Sequence, residues 1–274
     1  MENNDLIISR NALTSLEAAR SYLQHSELAT EDFAIIDAIN EATGIMELRT
    51  GRALHERIFE NVQTLSLTTV ADNYTATGTG LGVLRAGSDA VGVNLRPEAR
   101  IASIAANGLS LILTQPPALG GAANITFGSE PLVQRWPGGS AATLDQFPVE
   151  AVYSLKVIGS DGTKTAIDIT GYWLEKAAGI LHLAGERPAK GETIELEYKA
   201  GYRPTTATDR GHGEEWRSLR RICHRITQLL YQDYRHQLGR SLEVQIRDQI
   251  VRFSDLSLPK DVEQALDDFK RMDV

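Results

Sequence analysis

The sequence predicts an α+β protein: helices from both chain ends pack together with a small antiparallel β-sheet or hairpin, and an all-β, sandwich- or barrel-like domain is inserted. Two observations lead to this prediction. Apolar residues recur at helical spacing near both ends of the chain, whereas short runs between them alternate apolar and polar residues. Glycine-rich turns separate these runs, as is typical of strands. We predict four parts: residues 1–58, 59–130, 131–240 and 241–274.

Two helices are predicted within residues 1–58. Thr14 and Glu17 have the spacing of a capping box, in which a hydroxyl and a carboxylate satisfy the free amides of a helix start. A second helix is predicted from near Thr30, because apolar residues then keep the helical period up to the R-T-G-R stretch. Gly51 stands where a helix needs a left-handed cap, so the second helix is expected to end there.

Residues 59–130 predict the inserted β domain. Charged residues become scarce in this part, with five acids, three arginines and no lysine. Glycine-rich turns separate its short alternating runs. The predicted strands are residues 65–69, 91–95, 109–113 and 124–127.

Residues 131–240 predict further strands, then a polar loop and a long helix. This helix is expected from about Glu214 to Leu238, with its apolar residues on one side. The last part is expected to hold a short helical segment at 242–253. A final helix would then start with Pro259 as its first residue and run to about Met272. The predicted strands of this region are residues 152–158, 167–169, 173–174, 180–183 and 194–199.

Composition limits the classes of function. The formal net charge is −8, so the chain as a whole is no polycation that would seek nucleic acid. The single cysteine, Cys223, cannot form an intrachain disulfide. The start lacks a basic segment followed by a long apolar run, and no apolar run reaches about 18 residues. We therefore expect a soluble protein that has no signal peptide and no membrane partner.

The sequence shows no pattern of an enzyme, a metal site or a cofactor site, and we expect none of them. Val83 stands where a dinucleotide-binding loop starting at Gly78 needs its third glycine. Ser140 does not lie in a nucleophile motif, and no two of the six histidines lie four residues apart on a predicted helix. His212, between two glycines, is expected in a flexible loop. Paired carboxylates cannot be recognised from sequence, because a general acid and base need only converge in space.

Arginine usage is the strongest chemical feature. Residues 203–252 contain ten arginines, six acids and no lysine, which gives this segment a charge of +4 and leaves −12 for the rest of the chain. At about 100° per residue, one side of the long helix carries Arg217, Arg221, Arg225, Arg235, His224, Gln228 and Gln232. The planar guanidinium suits carboxylates and phosphates. The candidate interface residues are Arg217, Arg220, Arg221, Arg225, Arg235 and Arg240.

Three readings of this arginine side stay open. It is the solvated face of an amphipathic helix, an interface with an acidic surface on a neighbouring subunit or partner, or a phosphate-contacting surface. Direct phosphate contact is the least favoured, because the remaining acidic chain would repel DNA.

Three short motifs occur in the order R-T-G-R, F-P-V-E and Y-K-A-G-Y, at residues 49–52, 147–150 and 198–202. In this order and spacing they resemble the tailed-bacteriophage head–tail connector proteins, also called adaptor or head-completion proteins. The resemblance covers about residues 5–58 and 131–240, whereas the inserted β domain and the extension past residue 239 depart from it. The matching residues are Thr50, Gly51, Arg52, Pro148, Val149, Tyr198, Ala200, Gly201 and Tyr202.

The resemblance implies a structural virion protein without a cofactor, which assembles in the host cytoplasm and ends up at the head–tail junction. Its copies would form a closed ring, a dodecamer matched to the portal protein, that extends the channel for packaged DNA. The ring would offer a surface to the next connector or tail-completion protein. Gly201 would be the backbone pivot after a strand, with Tyr198 and Tyr202 packed around the turn and their hydroxyls at its polar edge.

Ring contacts join two different faces of a subunit, so the acidic N-terminal region and the basic long helix are a hypothetical pair of faces. The alternative function is a binding module, in which the inserted β domain recognises a saccharide or a host surface. Its aromatic residues are few: Tyr74 and Phe127, with Phe59 at the boundary.

Overall fold

The chain forms two compact units. We call Met1–His55 with Tyr202–Val274 the helical unit and Glu56–Gly201 the β unit. The division of the sequence into four parts stays a prediction. None of the helices that the structure describes is long and apolar enough to cross a membrane. The computed structural model describes residues 8–9, 11–24, 31–96, 98–129, 131–184, 188–204, 212–240 and 258–270.

The helical unit confirms that helices from both chain ends pack together. The long helices α2 and α3 pack against each other, and α1 and α4 pack on both of them. The helices are α1 (Leu16–Leu23), α2 (Asp32–Thr50), α3 (Gly213–Arg240) and α4 (Lys260–Asp267). One buried cluster takes Leu13, Ala42, Met46 and Leu54 from the N-terminal part and Leu219, Cys223, Ile226, Leu258, Leu266 and Phe269 from the C-terminal part.

Helix boundaries follow the prediction at α2 and depart from it at α1 and α4. Gly51 caps α2 with a φ of 70°, and its N–H donates to the carbonyl of Glu47. Ser15, not Thr14, caps α1, because its hydroxyl accepts from the N–H of Ala18. The segment predicted at 242–253 lies outside the described residues.

The final helix was predicted one residue too early and about five residues too long. Pro259 is the N-cap of α4 rather than its first helical residue. The helix ends at Asp267, after which the N–H of Phe269 bonds back to the carbonyl of Leu266 as a turn.

The β unit contains fourteen described strands. They are β1 (Arg57–Phe59), β2 (Gln63–Thr69), β3 (Thr75–Gly78), β4 (Ala90–Val91), β5 (Ile101–Ile104), β6 (Ser110–Leu113), β7 (Gly121–Phe127), β8 (Leu132–Arg135), β9 (Ala141–Thr143), β10 (Val149–Ile158), β11 (Lys164–Ala166), β12 (Tyr172–Glu175), β13 (Ile180–Leu183) and β14 (Thr193–Ala200). Each pairs antiparallel with its neighbours. The three sheets have the orders β1-β14-β10-β11 with β8 also on β14, β12-β13-β9, and β4-β7-β2-β3-β6-β5.

The six-stranded sheet confirms the predicted all-β part and shows that it is barrel-like. The two ends of its strand order meet, because Asp89 bridges antiparallel to Arg100. Backbone bonds continue this closure on both sides, from Ala90 N–H to the Ala99 carbonyl and from Ile101 N–H to the Ser88 carbonyl, each 2.9 Å long. Buried side chains from the strands and from the segments that connect them form one apolar core. Its members are Leu67, Ala76, Leu81, Leu84, Ala90, Leu95, Ala99, Ile101, Leu111, Leu113, Ile125 and Phe127.

Two predicted strands differ from the structure, each because a turn interrupts the pattern. The run at 91–95 is a strand only through Val91, since the N–H of Leu95 bonds to the carbonyl of Gly92. The strand predicted at 167–169 is instead Lys164–Ala166. Asp168 then caps a 3₁₀ turn by accepting from the N–H of Thr170, which ends the extended conformation.

Candidate interaction surface

The long helix α3 has one buried and one arginine-bearing side, as predicted. Leu219, Ile222, Cys223 and Ile226 are buried in the helical unit. Arg217, Arg220, Arg221 and Arg225 are exposed, and we call these four the α3 arginine face. Arg235 and Arg240 belong to the same helix, but their side chains are not among the described ones.

The α3 arginine face makes few hydrogen bonds to other described residues. The Nε of Arg217 donates to the carbonyl of Gly213 at 3.0 Å, and an Nη of Arg225 donates to the side chain of Gln228 at 2.9 Å. Both contacts are local and exposed. Within the described ranges, no carboxylate forms an ion pair with any of the four guanidinium groups. All four of these arginines are exposed.

His224 was predicted on the arginine side and is buried instead. It is 7% exposed, and its Nε2 lies 2.6 Å from the hydroxyl of Thr14. Its ring also packs against Tyr22 at 4.9 Å between centroids. Thr14, just before α1, and Tyr22 of α1 cover this side of α3, so the exposed arginine-bearing side is narrower than predicted. Burial, with the charge of Arg220 second, lowers the pKa of His224 to about 4.

The N-terminal acids occupy mixed environments. Asp32 is held by the guanidinium of Arg20, whose Nε donates at 2.8 Å. Burial raises the pKa of Asp37, and burial together with Asp37 and Asp233 raises the pKa of Glu41. The pairing of this acidic region with the α3 arginine face stays a hypothesis.

The R-T-G-R motif ends α2 and forms a buried junction. Arg52 is 3% exposed, and its Nε donates to the carbonyl of Phe269 at 2.7 Å, just after α4. An Nη of Arg52 donates to the hydroxyl of Tyr202 at 3.2 Å, and the Tyr202 ring packs edge-on against Phe269 at 5.7 Å. Burial lowers the pKa of Arg52. Thr50 is also buried, and its hydroxyl donates to the carbonyl of Met46 at 2.9 Å.

His212 was predicted in a flexible loop but packs at the start of α3. Its ring lies edge-on to Tyr202 at 5.4 Å, and its carbonyl accepts the N–H of Trp216 at 2.7 Å. It therefore belongs to the same buried junction as Arg52.

The F-P-V-E and Y-K-A-G-Y motifs meet where β10 begins and β14 ends, in the sheet that these two strands share. The N–H of Gly201 donates to the carbonyl of Pro148 at 2.9 Å. Gly201 has a φ of 112°, a backbone conformation that glycine adopts readily and other residues rarely adopt. Tyr198 was predicted to hold its hydroxyl at the polar edge of the turn. The residue is instead fully buried, and its ring stacks on Phe59 at 5.2 Å between centroids.

An exposed aromatic group on the three-stranded sheet was missed from the sequence. Trp173 is 53% exposed, and its ring stacks on His182 at 3.6 Å with 4° between the planes. Nε2 of His182 lies 3.0 Å from a carboxylate oxygen of Glu175. We call these three residues the Trp173 platform. The alternation of Y-W-L-E gave a signal for an outward-facing Trp, but not for its partner, which lies on the next strand.

Other chemistry is limited in the described part of the chain. No group of histidine, cysteine or acidic residues there is arranged to hold a metal ion. Cys223 is buried, and burial raises its pKa to about 11, so its thiol is a packing group rather than a nucleophile. Of the three aromatic residues of the predicted insertion and its boundary, Phe127 is buried, Phe59 is half-buried, and Tyr74 alone is exposed.

Comparison with known proteins gives distant structural likenesses only. No family model and no curated protein matches the chain. It is similar to a chain from the neck of an empty gene transfer agent particle computed with C6 symmetry, at 14% identity and a TM-score of 0.43, covering 99% of this chain and 96% of that one. A chain from the virion of a native gene transfer agent particle gives 14% identity and a TM-score of 0.44, with 100% and 97% covered.

A third solved chain comes from the neck of a native gene transfer agent particle computed with C12 symmetry. It gives 14% identity and a TM-score of 0.37, with 96% of this chain and 95% of that chain covered.

Proposed function

We propose that this chain is a head–tail connector protein of a virion. Its copies assemble as a closed ring, a dodecamer, that binds the portal protein and extends the DNA channel. The ring provides the attachment surface for the next connector or tail-completion protein, and packaged DNA passes through it without sequence-specific contacts. The chain acts as a structural protein and not as an enzyme.

The contacts between the three sequence motifs carry this proposal. Arg52 of the first motif bonds to Tyr202 of the third, 150 residues later in the chain. Pro148 of the second motif bonds to Gly201 of the third. Motifs that matched by chance would have no reason to touch. These contacts support the view that the motifs belong to a shared structural pattern and did not match by chance.

The α3 arginine face supports the assembly part of the proposal. A closed ring is built from head-to-tail contacts, so each subunit needs two different and complementary faces. Four exposed arginines on one long helix form one such face. The alternative function, saccharide recognition by the β barrel, has less support, because the barrel exposes only Tyr74 for stacking on a sugar ring.

The direct test is the mass of the full chain in solution, alone and mixed with the portal of its own particle. A ring, or a stable complex with the portal, is the expected result. A monomer that ignores the portal would contradict the proposal.

A charge-reversed variant tests the role of the α3 arginine face. Arg217→Glu, Arg221→Glu and Arg225→Glu together should weaken ring or portal assembly by at least about tenfold, because like charges would now face an acidic acceptor. The matched control reverses three other exposed cations, Lys190, Lys260 and Lys270, and changes the net charge equally. Equal losses in both variants would mean that net charge, and not this face, controls assembly.

A further inference from the structure

The Trp173 platform presents an open aromatic surface on the three-stranded sheet. Trp173 of β12, His182 of β13 and Ala141 of β9 lie opposite one another across the sheet. His182 stacks on the indole at 3.6 Å between ring centroids, and Trp173 stays 53% exposed, so about half of the residue is accessible to a partner.

The chemistry of the platform suits a guanidinium group. A carboxylate can only accept, so His182 Nε2 carries the proton in its 3.0 Å bond to Glu175 Oε1. No donor among the described residues bonds the second oxygen of Glu175. Trp is the ring that attracts cations best, and arginine is the cation found most often on such rings. A carboxylate beside the ring adds a charge-assisted acceptor for the same group.

The chain itself supplies arginines of this kind. We propose that the Trp173 platform binds an arginine of the α3 arginine face of a second copy of this chain. The inference rests on the proposed function, because a ring requires a head-to-tail contact between two different faces. Charge complementarity supports the match: the segment 203–252 carries +4, and the remainder, which contains the platform, carries −12.

A second copy of the chain accounts for both the exposed Trp173 and the exposed arginines of α3, whereas a bound saccharide accounts only for Trp173. A sugar ring would also stack on an indole, but it would leave the four exposed arginines without an acceptor. One contact between two copies provides a partner for the exposed Trp and a counter-charge for the arginines. Exposed Trp and Arg are also the residue types enriched at the energetic centres of interfaces.

The first test measures self-association of the full chain, free or on the portal, by sedimentation velocity across a range of concentrations. Trp173→Ala should weaken self-association by at least about tenfold, and Trp173→Phe should retain most of it. Glu175→Arg leaves the indole of Trp173 in place and opposes an incoming arginine, so it should weaken association as strongly. Tyr74→Ala, which removes an exposed aromatic of the barrel, is the matched control and should change nothing.

A mixing experiment tests the head-to-tail geometry. One variant loses the platform through Trp173→Ala and Glu175→Ala, and the other loses the arginines through Arg217→Glu, Arg221→Glu and Arg225→Glu. Neither should assemble alone. Mixed, the intact arginines of the first should bind the intact platform of the second, so that assembly stops at a pair containing one copy of each variant.

The outcomes separate the inference from the proposed function. If the wild-type chain assembles and the platform variants assemble equally well, the platform contact is wrong while the connector function stands. Loss of assembly in Asp37→Asn with Glu41→Gln, with the platform variants unaffected, would assign the arginines to the N-terminal acids and overturn the inference. Platform variants that assemble normally but lose saccharide binding would overturn it as well. A wild-type chain that never self-associates, free or on the portal, overturns both proposals.

Discussion

At the scale of single residues, His224 sets an acid sensitivity of the helical unit. Its pKa is lowered to about 4 from 6.5, first by burial and then by the charge of Arg220. Above pH 6.5 the imidazole is neutral in both the folded and the unfolded chain. Between pH 6.5 and 4 the imidazole of His224 is protonated in the unfolded chain but stays neutral in the folded chain. The free energy of unfolding should therefore decrease as the pH is lowered from 6.5 to 4, by at most about 3 kcal/mol.

The variant His224→Gln provides the comparison. Its amide keeps a neutral partner for the Thr14 hydroxyl, which lies 2.6 Å from the imidazole in the native chain, and it does not titrate. Urea unfolding between pH 4 and 7 should give a flatter pH dependence for the variant than for the native chain. Parallel curves for the two proteins would show that other groups cause the acid sensitivity.

The position of His224 also shows where sequence reasoning about residues ends. The helical period places it about 20° from Arg217, on the side of α3 that carries the exposed arginines. The segment around Thr14 buries it, and that segment lies 210 residues away in the chain. A helical pattern identifies the side of a helix, but it carries no signal for a distant segment that covers part of that side.

At the scale of elements, α2 offers two glycines with opposite expected effects. A Cβ added at Gly44 or at Gly51 would meet nothing within 4 Å, so crowding does not distinguish them. Gly44 lies inside the helix, where Gly44→Ala should stabilise the chain by about 0.5–1 kcal/mol. Gly51 has a φ of 70°, so Gly51→Ala should destabilise it by about 1–2 kcal/mol. Denaturant unfolding followed by helix circular dichroism measures both.

The variant Gly51→Asn is the control for the cap, since asparagine tolerates the left-handed conformation better than alanine does. It should lie between the native chain and Gly51→Ala. If Gly51→Ala were as stable as the native chain, the C-cap would not depend on the left-handed conformation of this residue.

Most elements of the fold were predictable because their signals are local. The cap at Gly51, the alternation of strands such as Ser110–Leu113, and the apolar side of Gly213–Arg240 all depend on neighbours within a few residues. The closure of the barrel was not predictable in detail. It depends on a bridge between Asp89 and Arg100, which no pattern along either strand specifies.

At the scale of the whole molecule, the candidate surfaces were only half predictable. The arginine face could be read from one helix, because all its residues repeat at helical spacing. The Trp173 platform and the Arg52 junction could not, because each joins side chains from different elements. The sequence motifs indicated that Arg52 and Tyr202 matter, but not that they bond to each other across 150 residues.

The uneven charge of the molecule leads to the last prediction, which concerns salt. The segment 203–252 carries +4 in a chain whose net charge is −8. If the α3 arginine face joins copies to one another or to the portal, raising NaCl should weaken assembly. The screening length falls from about 10 Å at 0.1 M salt to about 3 Å at 1 M. Light scattering or sedimentation across this range measures the effect.

A neutral variant identifies the charges responsible for that salt dependence. Arg217→Gln, Arg221→Gln and Arg225→Gln together keep polar side chains of similar reach but remove three positive charges from α3. We expect this variant to assemble more weakly at 0.1 M NaCl and to respond less to added salt. If the native chain assembles equally well or better at 1 M NaCl, burial of apolar surface is the driving force for assembly. The arginines of α3 would then be a solvated helix face, and the contact between copies would have to lie elsewhere.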